Sequence, residues 1–81
     1  MKIYAFHEGC KYEGGGTVSL HRSYDGALKA AYKAAKEKSD SMIAYSKESG
    51  YDYIDWSLKE IKNGFEVASD IYIVCEMVVE E

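Results

Sequence analysis

Hydrophobic and polar positions near the start of the chain alternate as they do in β-strands. Residues 2–7 carry apolar side chains on both sides of an extended backbone, a pattern typical of a strand inside a sheet. Residues 17–21 alternate between polar and apolar positions, which predicts a second strand. Gly9 and the run Gly14-Gly15-Gly16 lie between them and favour a long, flexible connection. The two segments together predict a β-hairpin.

The segment after the hairpin has the spacing of an amphipathic helix. Ser23 is a typical N-cap and Asp25 falls in the first turn. The apolar positions that recur at helical spacing are Tyr24, Ala27, Leu28, Ala31 and Ala35. Because alanine is the best helix former and has a small side chain, this face predicts a helix that lies close to a sheet.

The apolar stripe continues to Met42 and Tyr45, so the helix could extend to Glu48 with Gly50 just beyond it. A helix of that length would span about 37 Å at 1.5 Å per residue, more than so small a domain needs. We therefore predict a break at residues 39–41. The alternative is one unbroken helix that protrudes, and such a protrusion would itself indicate a function.

The last third of the chain predicts further strands. Residues 51–61 suit a strand by propensity, although Asp52 as a cap and Asn63-Gly64 as a stop also permit a short helix; we favour the strand. Residues 71–80 are apolar on both sides, which places that strand inside the sheet. The predicted fold is one α+β domain over residues 1–81, with order β-β-α-β-β and the helix on one face of a mostly antiparallel sheet.

Composition limits the classes of function. The 81 residues include 14 acidic and 10 basic side chains, a net charge of −4, whereas nucleic-acid binding usually needs a concentrated basic surface. No apolar run is long enough to span a bilayer, and the start of the chain does not resemble a signal peptide. We expect a cytoplasmic protein in which Cys10 and Cys75 are reduced thiols.

The candidates for metal or covalent chemistry are few. The soft ligands are His7, Cys10, His21 and Cys75. Their spacing matches no established zinc module, so we predict no metal and no cofactor. Cys10 and His21 could form a nucleophile and base, but the nearby Glu8 and Glu13 would raise the thiol pKa. We therefore expect Cys10 and His21 to be ordinary surface loop residues in a protein that is not an enzyme.

Two further patterns suggest phosphate binding only weakly. The Gly14-Gly15-Gly16 run resembles a phosphate loop, but the lysine of a P-loop is missing and a strand follows instead of a helix. Lys29, Lys33 and Lys36 form a stripe on the polar face of the helix. Lysines in such positions are favoured by solvation and by the helix dipole.

The most promising surface combines aromatic side chains with carboxylates. The chain has eight tyrosines against two phenylalanines and one tryptophan. The densest patch is Tyr51, Asp52, Tyr53, Asp55 and Trp56. Aromatic side chains anchor interfaces because they bury a large area while freezing few rotors. We predict that these five residues bind a partner protein; a half-buried strand with a solvated acidic side is the alternative.

Three stretches carry a resemblance: MKIYAF at residues 1–6, RSYDGALKAA at residues 22–31 and DIYIV at residues 70–74. In this pattern the chain is similar to small accessory proteins of bacteriophages and mobile elements, in which a first strand precedes a Ser-x-x-x-Ala helix and further strands. In size, acidity and lack of catalytic residues it also resembles the anti-CRISPR class. That resemblance implies a protein that occupies a surface on a host defence complex, and it transfers no functional residue.

The sequence therefore predicts a non-enzymatic, phage-type inhibitor that binds a host protein such as a CRISPR effector through an acidic, tyrosine-rich surface. Carboxylates would speed the encounter with a basic partner. One alternative is a nucleotide-binding protein that uses the glycine run and the lysine stripe. Another is a structural subunit that forms homo-oligomers through a sheet edge, and a homodimer is compatible with either role.

Overall fold

The computed structural model describes residues 1–10, 14–50 and 54–79. Within these ranges one helix packs on one side of a five-stranded antiparallel sheet, which confirms the predicted α+β class. The elements are β1 (Lys2–Cys10), β2 (Gly14–His21), α1 (Tyr24–Ser49), β3 (Leu58–Ile61), β4 (Gly64–Val67) and β5 (Asp70–Val78). The strands lie in the order β2-β1-β5-β4-β3.

The predicted strands are present, and the structure adds one. β1 and β2 form the predicted hairpin, and β1 and β5 occupy the inner positions that their two-sided apolar pattern predicts. In the described part of the segment predicted at 51–61, residues 54–61, the strand is Leu58–Ile61. The addition is β4, which pairs with β3 across a tight turn at Asn63 (φ 62°). No second helix occurs in the described residues.

The core lies between α1 and the sheet. The Ser23 hydroxyl accepts a hydrogen bond from the Gly26 backbone N–H at 3.0 Å, which confirms the predicted N-cap. Ala27, Ala31 and Ala35 are fully buried, as the alanine face predicts. The buried residues that form the core are Phe6, Ala27, Ala31, Ala35, Val67, Tyr72 and Val74.

The sheet has a second side that the helix does not cover. Phe6 lies opposite Val74, and both contact the helix. Since side chains alternate along a strand, the neighbouring positions point away from α1. On the three long strands β2, β1 and β5 these positions are Ile3, Ala5, His7, Gly9, Gly15, Thr17, Leu20, Ile71, Ile73, Cys75 and Met77. We call this side the open face.

The predicted break in the helix is wrong, because α1 runs unbroken from Tyr24 to Ser49. Ser39, at the predicted break, is buried, and its hydroxyl donates a 2.7 Å hydrogen bond to the Trp56 carbonyl. Its polar group is therefore satisfied inside a continuous helix. The helix ends at Gly50, whose left-handed φ of 76° is one that glycine adopts readily, and the Gly50 N–H donates to the Ser46 carbonyl.

The last turns of α1 project beyond the sheet. The Lys38 ammonium pairs with Asp70, the first residue of β5, at 3.7 Å, so the end of the sheet lies near helix residue 38. The 11 helical residues after Lys38 extend about 16 Å further, and the molecule measures 53 × 23 × 18 Å. We call residues 39–50 together with 54–57 the arm. Among the described residues, no helix is both long and apolar enough to cross a membrane.

Candidate functional site

The arm contains a groove between its helical part and the chain that returns to the sheet. The helical wall is formed by Ile43, Ser46 and Lys47. The returning wall is formed by residues 54–57, and the groove between the two walls has a volume of about 450 Å³. The hydrogen bond from Ser39 to the Trp56 carbonyl fixes the returning segment against the helix at the base of the groove.

Two large hydrophobic side chains of the arm remain exposed. Ile54 lines the groove and is 44% exposed, whereas Tyr45, which does not line the groove, is 58% exposed. Ser46 is buried although it lies close to the exposed end of the helix. The arm therefore has an ordered base and exposed hydrophobic side chains, a combination that suits the docking of another protein.

The structure describes two of the five residues predicted to bind a partner. Tyr51, Asp52 and Tyr53 lie outside the described residues. Trp56 is half-buried and packs against the core, so part of its ring stabilises the fold. Asp55 is exposed and lines the groove, as does Trp56.

Asp55 organises the returning segment. Its carboxylate accepts a hydrogen bond from the Ser57 backbone N–H at 3.0 Å and pairs with the Lys59 ammonium at 3.5 Å. The hydrogen bonds from Ser57, followed by the attraction of Lys59, hold the pKa of the Asp55 carboxyl below its usual value. Asp55 is therefore a fixed negative charge beside the groove at neutral pH.

The stretch of sequence that contains the arm has an excess of acidic residues. Residues 40–58 contain one basic residue, Lys47, and four acidic ones, Asp40, Glu48, Asp52 and Asp55, which give a net charge of −3. Two of these carboxylates pair with lysines just outside the stretch, Asp40 with Lys36 at 3.1 Å and Asp55 with Lys59 at 3.5 Å. Residues 29–38 of the same helix contain four lysines and one glutamate, so charge is separated along the length of the molecule.

The four soft ligands point to different sides of the sheet. His7 and Cys75 line a groove on the open face. Cys10 lies opposite Asp70 on the helix side, with its thiol 3.9 Å from the Ser69 hydroxyl. His21 is also on the helix side, opposite Tyr4. In the part of the chain that the structure describes, no group of three such ligands could hold a metal ion.

Cys10 and His21 are not a nucleophile and base pair in this fold. The expectation that they lie in loops is wrong, since they lie in β1 and β2 respectively. His21 lies opposite Tyr4, six residues from Cys10 along β1, which is about 20 Å in a strand. The His21 ring bonds to the Ser19 hydroxyl at 2.7 Å instead. The two side chains cannot share a proton across that distance.

The glycine run and the lysine stripe are also separated. Gly14, Gly15 and Gly16 belong to β2, where they pair with the end of β1. Gly14 and Gly15 line the groove on the open face, whereas the exposed Lys29 and Lys33 belong to the helix that packs on the other side. A phosphate at either place would not contact the other group.

Two surfaces were missed by sequence reasoning. The helical wall of the groove was missed because a break was expected at residues 39–41, although the apolar stripe that reaches Tyr45 was the signal for a longer helix. The open face was missed because apolar residues on both sides of β1 and β5 were taken to mean that both sides are covered. The single helix covers one side.

Comparison of the chain with models of known families, with curated proteins and with solved structures found no match in any of the three.

Proposed function

We propose that this chain is a non-enzymatic binding protein that docks on another protein through its acidic arm. The observation that carries the proposal is the continuation of α1 past the sheet to Ser49, beside a returning segment held by the hydrogen bond from Ser39 to Trp56. This construction holds the exposed side chain of Ile54 beside a groove at one end of the molecule and presents the exposed ring of Tyr45 on the same arm, outside the groove.

Shape and charge in the arm favour a protein partner. Exposed aromatic and aliphatic side chains such as those of Tyr45 and Ile54 can each bury a large area against a partner at a small entropic cost. The net charge of −3 over residues 40–58 attracts a basic surface and repels an acidic one. Charge of this kind raises the association rate most strongly at low ionic strength.

The finer form of the proposal is an inhibitor of phage type that occupies the basic nucleic-acid surface of a host defence protein, such as a CRISPR effector. Two observations support it: the resemblance carried by residues 1–6, 22–31 and 70–74, and the acidic charge of the arm. A carboxylate-rich arm with a groove could occupy a channel that normally holds phosphates.

The test is a capture experiment with charge-matched variants. The chain is immobilised through its N-terminus and exposed to bacterial lysate at low salt, and retained proteins are identified and quantified. In the arm variant, Glu48→Gln and Asp55→Asn remove two negative charges. In the control variant, Glu37→Gln and Glu60→Gln remove two negative charges from exposed positions outside the arm. Both variants have the same net charge.

We expect the wild type and the control variant to retain the same basic protein, and the arm variant to retain about tenfold less of it, since rim charges act mainly on association. Retention by the wild type should also fall as salt is raised. Equal loss in both variants would contradict docking through the arm, and retention of nothing even at low salt would contradict the function itself. With the purified partner, fluorescence of Trp56, the single tryptophan, gives the affinity directly.

A further inference from the structure

The open face has the composition of a protein interior. Its positions on β2, β1 and β5 include no aspartate, glutamate, lysine or arginine among the described residues. Leu20 is 59% exposed and Met77 is 45% exposed. Ala5 is fully buried although it does not belong to the core cluster, so it adds no exposed area to the open face.

Charged side chains on these strands lie on the opposite side. Lys2 pairs with Glu76 at 3.0 Å on the side of the sheet that bears the helix. Glu8 lines the rim of the groove on the open face, but its register places it opposite Tyr72, whose pKa it helps to raise. A sheet with one side in water normally carries its polar residues on that side. Here the charged residues of these strands lie on the side that bears the helix and the apolar residues lie on the uncovered side. This arrangement indicates that another molecule covers the open face when the protein functions.

The open face is large enough for a stable dimer. β1 and β5 have nine residues each, so the three long strands offer a flat area of roughly 30 Å by 14 Å. The side chains that stand on this area raise its accessible surface above the flat value, toward the ~800 Å² per partner of a standard interface. The flanking strands β4 and β3 carry Glu66 and Lys59 on the same side and form a charged margin. Exposed apolar patches of several hundred Å² usually mark such contacts.

The open face is also complementary to itself. At one end Leu20 forms a raised, exposed side chain beside Ala5. At the other end Gly9 lies opposite Gly15, and the missing side chains leave a groove of about 320 Å³ with Ile71, Ile73 and Cys75 along it. Each glycine lies so close to the other strand that an added Cβ would clash with its backbone, so side chains cannot fill the groove from within.

We propose that a second copy of the chain covers the open face, forming a two-fold symmetric dimer with the two sheets stacked face to face. We place the two-fold axis between the two sheets and perpendicular to their strands. Rotation about it stacks the Leu20 end of one sheet on the glycine-groove end of the other. Leu20 of each protomer then enters the glycine groove of its partner, so the same contact forms twice, as an isologous interface requires. The sheets would pack about 10 Å apart.

The first test is the mass of the wild-type chain in solution. Sedimentation equilibrium from about 1 µM to about 500 µM covers the range of affinities expected for an interface of this size. We expect a mass of twice the 9.1 kDa of the chain. A mass of 9.1 kDa at every concentration would overturn the proposal.

The second test uses matched substitutions of exposed apolar strand residues. Leu20→Glu places a charge on the open face, and Val78→Glu places the same charge on the side of the sheet that bears the helix; the two side chains are 59% and 72% exposed. Leu20→Glu should raise the Kd of the dimer by about 100-fold or more, because each dimer would bury two unpaired carboxylates. Val78→Glu should leave the Kd unchanged.

A third measurement locates the contact. In a dimer of mixed isotope labelling, nuclear Overhauser effects between Leu20 methyl groups of one protomer and Gly9 or Gly15 of its partner are expected. A dimer that persists in Leu20→Glu, or that shows contacts through another surface, would overturn the proposal. The open face and the arm are different surfaces, so capture of a partner by the arm and association of the chain can fail independently.

Discussion

Tyr72 is the residue whose chemistry is most altered by the fold. It is 1% exposed, beneath α1 in the centre of the core, and its ring lies 6.3 Å from that of Phe6. Burial, followed by the negative charges of Glu8 and Asp70, raises the pKa of its hydroxyl to about 12 from an ordinary value near 10. The folded state therefore favours the neutral phenol.

This shift predicts a loss of stability at alkaline pH. Between pH 10 and 12 Tyr72 loses its proton in the unfolded chain but keeps it in the folded chain, so stability is complete below pH 10 and falls as the pH rises toward 12. The loss is about 2–3 kcal/mol for a shift of two units. Urea unfolding at pH 8 and pH 11.5 would measure it.

The matched variant for this prediction is Tyr72→Phe, which removes the titrating group and keeps the ring. It should be less sensitive to alkaline pH than the wild type by about the same 2–3 kcal/mol. An identical fall in stability for both proteins would show that other groups cause the alkaline unfolding.

Residue types alone did not assign the role of the predicted binding residues. Asp55 and Trp56 stood out in the sequence as a carboxylate beside an aromatic ring. In the structure Asp55 bonds to Ser57 and Lys59, and Trp56 is half-buried with its carbonyl bonded to Ser39. These bonds join positions up to 17 residues apart, and a sequence pattern cannot show which distant serine a carbonyl will meet.

At the scale of elements, the alanine face of α1 fixes the distance between helix and sheet. Ala27, Ala31 and Ala35 are each 0% exposed and belong to the same core cluster as Phe6 and Val74, so their methyl groups pack between the helix and the sheet. A larger side chain at these positions would force the helix away from the sheet.

The corresponding prediction is that Ala31→Leu destabilises the fold by about 1–3 kcal/mol through overpacking. Ala44→Leu makes the same change at an exposed position of the same helix and should alter stability by less than about 0.5 kcal/mol. Chemical denaturation of the two variants measures both effects. Equal stabilities would show that the helix does not pack closely on its alanine face.

The hairpin, the N-cap and the inner strands could be predicted because local signals agree with the final fold. The unbroken helix could not be predicted, because Ser39-Asp40-Ser41 has low helix propensity. The buried Ser39 hydroxyl is satisfied by a tertiary contact, its hydrogen bond to the Trp56 carbonyl. β4 was missed because Asn63-Gly64 was considered only as the stop of the alternative helix, whereas Asn63 forms the turn of a hairpin.

At the scale of the whole molecule, the structure separates three surfaces. The helix side holds the core, the open face is apolar, and the arm extends an acidic end from an elongated body of 53 × 23 × 18 Å. Net charge and composition predicted an acidic binding protein, but they could not show that residues 40–58 carry an excess of acidic side chains or that the open-face positions of β2, β1 and β5 carry no charged ones.

The two proposals combine into one architecture. The glycine groove and the arm lie at the same end of the sheet. At that end β1 finishes at Cys10 and β5 begins at Asp70, which pairs with Lys38 at the start of the arm. A two-fold axis across the strands would therefore place the two arms at opposite ends of the dimer. Such a dimer presents two binding sites, and a partner with repeated sites would gain avidity without any new contact.

The most direct test of the central claim, docking through the arm, is amide hydrogen exchange of the chain with and without its captured partner. Dimer contacts are present in both samples and cancel in the difference. We predict slower exchange in peptides covering residues 42–57 on adding the partner, and no change in residues 26–36 of the helix. Protection that leaves residues 42–57 unchanged and appears elsewhere would contradict the claim.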